Sequence, residues 1–596
     1  MQSNSIQTIR HRADLCVVGG GLAGMCAAVA AARGGSRVVL MQERPLLGGN
    51  ASSEIRMWVC GAHGSNNRET GILEEINLEN LHRNGTKNYY VWDGILFETV
   101  RNEPNIELLL NCSCCSAETE GDRIRSVTGW QMTTQQWHTV EADLFSDCSG
   151  DSILAPLTGA AFRYGREDPA EFGEICTYDR GDNKTMGMSC LLQGRLLDRP
   201  VRFKAPEWAT KITPEIVANR QFHMMSQKEN FWYLELGGDR DCIGDTETLR
   251  DELVALAYGV WDYVKNSGTV ENADLWDLEF LGFLPGKRES RRMVGAYMMT
   301  QKDIMSGGRF PDTVAFGGWP LDDHAPGGYF HVGAPNISVS TPAPYGIPYR
   351  CLYSANVKNL FFAGRNISMT HAAMSSTRVM ATCAILGQAV GTAANLAREF
   401  GLSPEGVGRE KIRLLQERLM EAGCFLPAMR REISDACRRA ALVCEGAGDL
   451  ENLRNGADRN NHTYGNAENG ATVPLGKPIV YRLAEPMKPA LIHIAFDRDL
   501  DRETLPGTVF ERTHSMQCNV LPTATPLRLP TTLPKRFRVS AKTPDGKEVP
   551  LCEATENRRP VVNLTPDLTV SEIALTVDEV WHSAPEQVRL FSFDFR

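Results

Sequence analysis

Gly19-x-Gly21-x-x-Gly24 follows the apolar run Leu15-Cys16-Val17-Val18 and opens the small-residue stretch MCAAVAAARGG. Glu43 and Arg44 stand just past the next apolar segment, Arg37 to Met41. Each glycine of such a motif answers a separate demand. The first makes a tight turn, the second lets backbone approach a pyrophosphate, and the third packs helix on sheet. The phosphate then sits at a helix N-terminus, where free N–H groups and the helix dipole favour an anion. Glu43 is spaced to accept hydrogen bonds from a ribose diol. Gly48-Gly49-Asn50 forms a second glycine-led polar turn, and further glycine segments follow at Asp147-Cys148-Ser149-Gly150-Asp151 and at Gly364-Arg365.

A flavin dinucleotide suits this pattern better than a nicotinamide one on three joint counts. The motif lies near residue 1, a three-stranded meander interrupts the fold, and a second strand-glycine segment recurs near residue 360. Residues 14–49, 147–151 and 359–394 resemble the two-dinucleotide-binding-domain flavoproteins. More narrowly, they resemble the FAD-dependent oxidoreductase family related to fumarate reductase and succinate dehydrogenase flavoprotein subunits. GGNASSEIRMWVCGAHG (48–64), DCSGD (147–151) and NLFFAGRNISMTHAAMSSTRVMATCAILGQAVGTAA (359–394) carry the narrower match. The resemblance implies non-covalent FAD in an extended pose. Gly19, Gly21, Gly24, Glu43 and Arg44 would hold the ADP half, with Gly48, Gly49 and Asn50 near the pyrophosphate and ribityl chain. Asp151, Gly364 and Arg365 would lie toward the isoalloxazine end. A glycine-containing helix from residue 374 would aim its N–H groups at the flavin N1/O2 edge.

Catalysis beside a flavin needs a group that moves the proton accompanying a hydride. His371, seven residues past Gly364, is the first candidate, the alternative being a histidine that only bonds loop backbone. His63, in Cys60-Gly-Ala-His-Gly, is the second, and also the first place to look for a covalent flavin bond. Arg378 would orient a substrate oxygen or pair with a neighbouring carboxylate. Trp319-Pro-Leu-Asp-Asp-His324 and His331 offer a polar cluster for substrate recognition through Asp323 and His324. Arg288, Arg291 and Arg292, in KRESRR, read as a solvated helix face, as a carboxylate site, or as a contact that seats an insert against the flavin. Cys112-Ser-Cys-Cys115 has redox-pair spacing but continues a strand, which argues against disulfide chemistry. No metal-ligand spacing occurs, and no second complete glycine motif serves NAD(P)H.

These residues need a scaffold that the hydrophobic pattern outlines as α/β. A Rossmann-like FAD-binding domain occupies residues 1–160 and 346–400, interrupted by an α+β substrate or cap domain at 161–345. A helical connector spans 401–445 and a C-terminal β-sandwich 446–596. Residues 72–102 read as helical, and Ile106–Leu110, Ile124–Trp130 and Thr139–Phe145 as three antiparallel strands around a Glu120-Gly121-Asp122 turn. Met374 to Leu396 reads as one helix. Its Gly387 and Gly391 argue for close packing against something flat or another backbone, since an exposed helical glycine costs about 1 kcal/mol against alanine. Strands spaced through the last third, such as ALIHIAFD and QVRLFSFDF, suggest the sandwich, and residues 455–485 resemble the opening of discoidin-like domains.

The 596 residues, 42% hydrophobic and 23% charged, belong to a globular protein with more than one domain. A net charge of −10 without a basic block argues against nucleic acid. Glycine and arginine break the apolar stretch from Leu15 to Leu40, so it does not read as a membrane span, and the opening lacks a signal-peptide core. The 17 cysteines are scattered and several sit in apolar runs, which fits reduced thiols and a cytoplasmic setting. The expected partners are a small-molecule substrate and an electron acceptor of open identity, with a homo-oligomer an open alternative to a monomer.

Overall fold

The computed structural model describes residues 6–175, 178–218, 220, 222–225, 230–460, 469–502 and 515–596. It divides into two compact units. Of the described residues, the first holds those of 1–62, 86–412 and 513–526, and the second those of 63–85, 413–512 and 527–596.

In the first unit, β1 (Thr8–Val18) leads through the glycine turn into α1 (Leu22–Arg33) and then β2 (Val38–Met41). Three further strands of the same sheet are β3 (Ile106–Leu109), β4 (Cys112–Glu120) and β5 (Arg123–Gln131), followed by β6 (Gln136–Asp147). The sheet order is β3-β2-β1-β6-β5-β4, with strand Leu360–Phe362 also paired to β6. Strands β1, β2, β3, β6 and Leu360–Phe362 run parallel, a Rossmann-like core, and β4 and β5 are antiparallel.

Two expectations are corrected here. Ile106–Leu109 is not the first strand of the meander but pairs parallel with β2. Its place in the meander is taken by Cys112–Glu120, whose polar sequence CSCCSAETE hid it. An edge strand exposed for most of its length needs no apolar face. Likewise β1 begins at Thr8, before the apolar run, because its polar half is held by a parallel ladder to β6 from Thr8↔Trp137 onward.

The helix expected from residue 374 is two helices, His371–Thr377 and Met380–Phe400. The longer one lies on α1. A Cβ at Gly387 would stand 1.9 Å from the Ala23 carbonyl oxygen, and one at Gly391 2.2 Å from that of Ala27, so this crossing admits only glycine. Among the described helices Met380–Phe400 alone is long and apolar enough to cross a membrane, and 89% of its 18-residue apolar window is buried in the fold.

Between β6 and strand Tyr345–Pro348 the chain builds short strand pairs around helix Thr246–Asn266. That helix turns Leu249, Leu253, Leu256, Val260, Trp261 and Val264 inward at helical spacing, onto a core with Phe231 and Trp276. KRESRR is not a solvated helix. It runs through two short strands, Gly286–Lys287 and Arg292–Met293, and Arg292 is wholly buried.

In the second unit, a five-stranded antiparallel sheet runs Ala441–Val443, Ile479–Met487, Val570–Val580, Pro534–Lys542, Glu548–Ala554. A four-stranded one runs Ala471–Pro474, Gln587–Phe595, Ile492–Phe496, Val561–Leu564. Tyr481, Ile494, Phe537, Leu575 and Phe593 belong to a single core. Leu78 and Leu81 of helix Ile72–Arg83 join that core, so this helix leaves the expected FAD-binding stretch for the second unit. The expected helical connector ends in a strand, Ala441–Val443, because that segment pairs with Ile479–Met487. Of the discoidin-like stretch, residues 461–468 lie outside the described residues.

Candidate functional site

The glycine turn separates two duties. A Cβ at Gly19 would stand 2.4 Å from the Cys148 carbonyl, and one at Gly24 1.8 Å from the Gly19 oxygen, so both glycines are required by the fold itself. A Cβ at Gly21 would meet nothing nearer than the Gly49 Cα at 3.9 Å. Gly21 therefore borders open space at the N-cap of α1, where a pyrophosphate can approach backbone N–H groups. Gly48 N–H donates to the Gly20 carbonyl at 2.9 Å and brings the second turn, Gly48-Gly49-Asn50, alongside the first. Gln42, which the motif did not single out, accepts from Gly20 N–H at 2.7 Å and stiffens the turn. Glu43 is exposed at the end of β2. Arg44 lies 3.3 Å from Glu54, and its buried Nε makes no hydrogen bond among the described residues. An open cradle with a guanidinium at its rim fits a dinucleotide phosphate.

Asp151 lies between two cations, 2.9 Å from Lys287 Nζ and 2.5 Å from Arg365 Nη2, and accepts from Ser290 Oγ at 2.7 Å. Burial pushes its pKa up, and Arg365 and Lys287 more than offset that, holding the carboxyl below its ordinary range. Gly364, with φ +119°, sets up the turn that presents Arg365. Asn50 Nδ2 donates to the Lys287 carbonyl at 3.1 Å. The segment after Gly286 thus touches both the second glycine turn and Asp151. This favours the reading of KRESRR as a contact that seats the insert.

His371 is the first residue of its helix, capped by Thr370. Its Nδ1 lies 2.9 Å from Glu289 Oε2 and its Nε2 3.1 Å from Asp323 Oδ1, while its backbone N–H donates to Glu167 at 2.7 Å. Arg292 bridges Glu289 and Glu167 from behind. Burial alone would lower the His371 pKa, but the Glu289 and Asp323 carboxylates push it up to about 10. At neutral pH it is an imidazolium with both nitrogens donating, so it offers no lone pair to a proton. In that state His371 can give up a proton but not accept one, so of the two senses of proton movement expected of it the geometry favours donation. Neither Glu289 nor Glu167 was a sequence candidate, and the only available signal was one acid inside the basic run KRESRR.

A second buried cluster lies on strand Leu321–His324. His324 Nδ1 sits 2.6 Å from Glu235 and its Nε2 3.3 Å from Asp322. Arg378 pairs with Asp322 at 3.1 Å, which realises the ion-pair alternative for this residue. Arg288 lies 3.4 Å from Glu235 and donates to the Trp232 carbonyl at 2.7 Å. The Trp232 ring stands edge-on to His324 at 5.2 Å.

His63 falls in the second unit, half-buried, its carbonyl accepting from Asn67 at 2.8 Å. The N–H of Ala381, at the start of the long helix, is engaged by the Cys60 carbonyl at 2.9 Å. Cys112 is buried and Cys115 exposed, and every described cysteine in the chain is free. Among the described residues no group of His, Cys, Asp and Glu has metal-site geometry.

A family model described as FAD dependent oxidoreductase matches residues 14–419. No curated protein matches the chain. Among solved structures it is similar to FrdA of the quinol fumarate reductase of E. coli, at 13% identity over 70% of this chain and 75% of that one, with a TM-score of 0.27. It is similar to the OxyS anhydrotetracycline hydroxylase of Streptomyces rimosus, at 10% identity over 72% and 80%, TM-score 0.31. Over 26% of its length it is similar to the family 32 carbohydrate-binding module of Streptococcus pneumoniae EndoD, at 13% identity over 95% of that chain, TM-score 0.18. At such scores these likenesses carry no functional argument. The cofactor follows from the family model and the open glycine cradle.

Proposed function

The chain belongs to the FAD dependent oxidoreductase family, with FAD as its cofactor, and from that premise we propose that it oxidises a neutral, hydroxylated small molecule such as a sugar or glycoside. Bound FAD supplies the acceptor for the hydrogen and electron pair that leave a substrate carbon. The residues around the glycine cradle, with Asp151 and Arg365, would hold it. The segment between β6 and Tyr345–Pro348 would act as a cap that carries the substrate-facing groups.

One observation carries the choice of substrate. Three of the arginines that could serve a carboxylate substrate are engaged by protein acceptors: Arg288 by Glu235 and Trp232, Arg292 by Glu289 and Glu167, and Arg378 by Asp322, while Arg291, among the described residues, donates only to the Asp151 carbonyl at 3.3 Å. Asp323, an oxygen acceptor, lies on strand Leu321–His324 with Trp319 and Trp232 nearby, the groups that suit hydroxyl donors and sugar faces. C–C dehydrogenation of a carboxylate, the alternative nearer to fumarate reductase, would need that cationic surface free. A non-catalytic carbohydrate-binding flavoprotein would hold FAD without turnover. We read the two sheets of the second unit as a β-sandwich of discoidin-like kind, in which Asp458, Asp594, Arg431 and His493 bond one another rather than presenting a sugar site. The free thiols support a reducing, cytoplasmic setting.

Anaerobic mixing of the FAD-loaded protein with sugars, glycosides and dicarboxylates, followed by flavin absorbance, tests this reading. Bleaching by sugars or glycosides is expected. Bleaching by dicarboxylates alone favours the fumarate-reductase-like reading, and no bleaching by any of them favours the non-catalytic one.

A further inference from the structure

We infer that Asp323 receives the substrate hydroxyl, through the carboxylate oxygen its protein neighbours leave unused, and that His371 is the positioning residue that aims it. This rests on the reading of the substrate as neutral and hydroxylated. Asp322 and Asp323 are consecutive on strand Leu321–His324, so their side chains leave the strand on opposite faces. Asp322 is filled. Its Oδ1 accepts from Asn336 at 2.5 Å, and its Oδ2 accepts from Trp319 at 3.3 Å and Arg378 at 3.1 Å and faces His324 at 3.3 Å. Asp323 is different. Its Oδ1 meets His371 Nε2 at 3.1 Å, and its Oδ2 accepts no hydrogen bond from the described residues.

Exposure sharpens the contrast. The His371 side chain is 2% exposed and that of Glu289 0%, whereas that of Asp323 is 24%. The chain of charges that begins at Glu167 and Arg292, and passes through Glu289 and His371, reaches accessible surface at Asp323. Each inner member fixes the next. Glu289 also accepts from Met186 N–H at 2.9 Å, and Arg292 donates to the Gly165 carbonyl at 2.7 Å. Such a stack holds the outer carboxylate in one rotamer, which is the preorganisation a binding group needs. An ionised carboxylate with a vacant oxygen is a strong acceptor for an O–H donor and repels an anionic ligand. The adjacent aspartates thus divide the work, Asp322 bracing the strand and Asp323 binding.

The test uses the FAD-loaded full chain, methyl glycosides of the common hexoses and their single-deoxy analogues, with anaerobic flavin reduction as readout. Asp323→Asn is expected to raise KM or Kd roughly 10- to 100-fold for the glycoside that wild type oxidises, with FAD content unchanged, and to lose the penalty that wild type shows for one deoxy position. Asp323→Ser, which keeps a small polar side chain, is the second variant should the first fail to hold FAD. The activity-independent readout is the imidazole NMR titration of His371, whose loss of a proton is expected at lower pH in Asp323→Asn. If glycosides reduce the flavin of wild type and both variants with unchanged KM, the assignment of Asp323 is overturned and the proposed function stands. If no glycoside reduces wild-type flavin, the substrate reading falls and takes this assignment with it.

Discussion

At the scale of single residues, the buried His371 imidazolium has a consequence for stability that can be worked out in sign. Its pKa is raised from an ordinary 6.5 to about 10 by Glu289 and Asp323 against the opposing effect of burial. Its contribution is therefore present in full below pH 6.5, declines between 6.5 and 10, and is gone above. His371→Gln leaves Glu289 without its imidazolium and is expected to cost about 3–5 kcal/mol at pH 6. The gap in melting temperature between wild type and variant should shrink as the pH rises toward 10. A gap that stays constant across that range would refute the charged state. Glu43 makes a milder case. Exposed at the end of β2, it contributes nothing to the core, so Glu43→Ala should leave melting unchanged and weaken FAD binding roughly 10-fold, read by flavin fluorescence. Spacing singled out His371 and Glu43. It did not reveal Glu289 and Glu167, because charge partners 82 and 204 positions away leave no periodic trace.

At the scale of elements, the glycines divide into those that the fold needs and one that the ligand needs. Gly21→Ala keeps an allowed backbone, φ −65°, and its Cβ enters open space, so the protein should fold with an unchanged apo melting temperature yet fail to retain FAD. Gly24→Ala drives a Cβ into the Gly19 carbonyl, and Gly387→Ala drives one into that of Ala23, so both should destabilise the apoprotein by about 1–3 kcal/mol or more. Apo melting curves beside flavin content separate the two classes, and equal behaviour of Gly21→Ala and Gly24→Ala would contradict the division. Small-residue spacing made the close approach at Gly387 and Gly391 legible. The break between Thr377 and Met380 was not, since Ser, Thr, Arg and Val carry no punctuation as strong as proline or glycine. KRESRR misled for a related reason. A basic run normally marks a wet surface, whereas here Glu235, Glu289 and Glu167 compensate its buried arginines.

At the scale of the whole molecule, binding of FAD to the folded state alone adds stability by mass action, about 2.7 kcal/mol at a hundredfold excess over Kd. Hydrogen exchange should therefore slow on FAD addition in peptides covering residues 19–24, 48–50 and 364–365. The same peptides exchanging at an unchanged rate would place the cofactor elsewhere. Helix Ile72–Arg83 shows what chain order conceals. It is the next α-helix after the second glycine turn, yet Leu78 and Leu81 belong to the core of the C-terminal sheets. An amphipathic helix announces that it has an apolar face but not which core will cover it. By itself the sequence marked a dinucleotide site and the strand–turn–helix–strand unit that builds it. Strand, glycine turn, helix and acidic residue lie in one short stretch, where spacing along the chain is already geometry. Only the tertiary structure decided which charges meet: that Arg378 and His324 share Asp322, that His371 is clamped rather than free, and that Asp323 alone of that buried chain reaches the surface. Pairing of buried charges depends on distances of a few ångströms between residues far apart in the chain, and such distances exist only once the chain has folded.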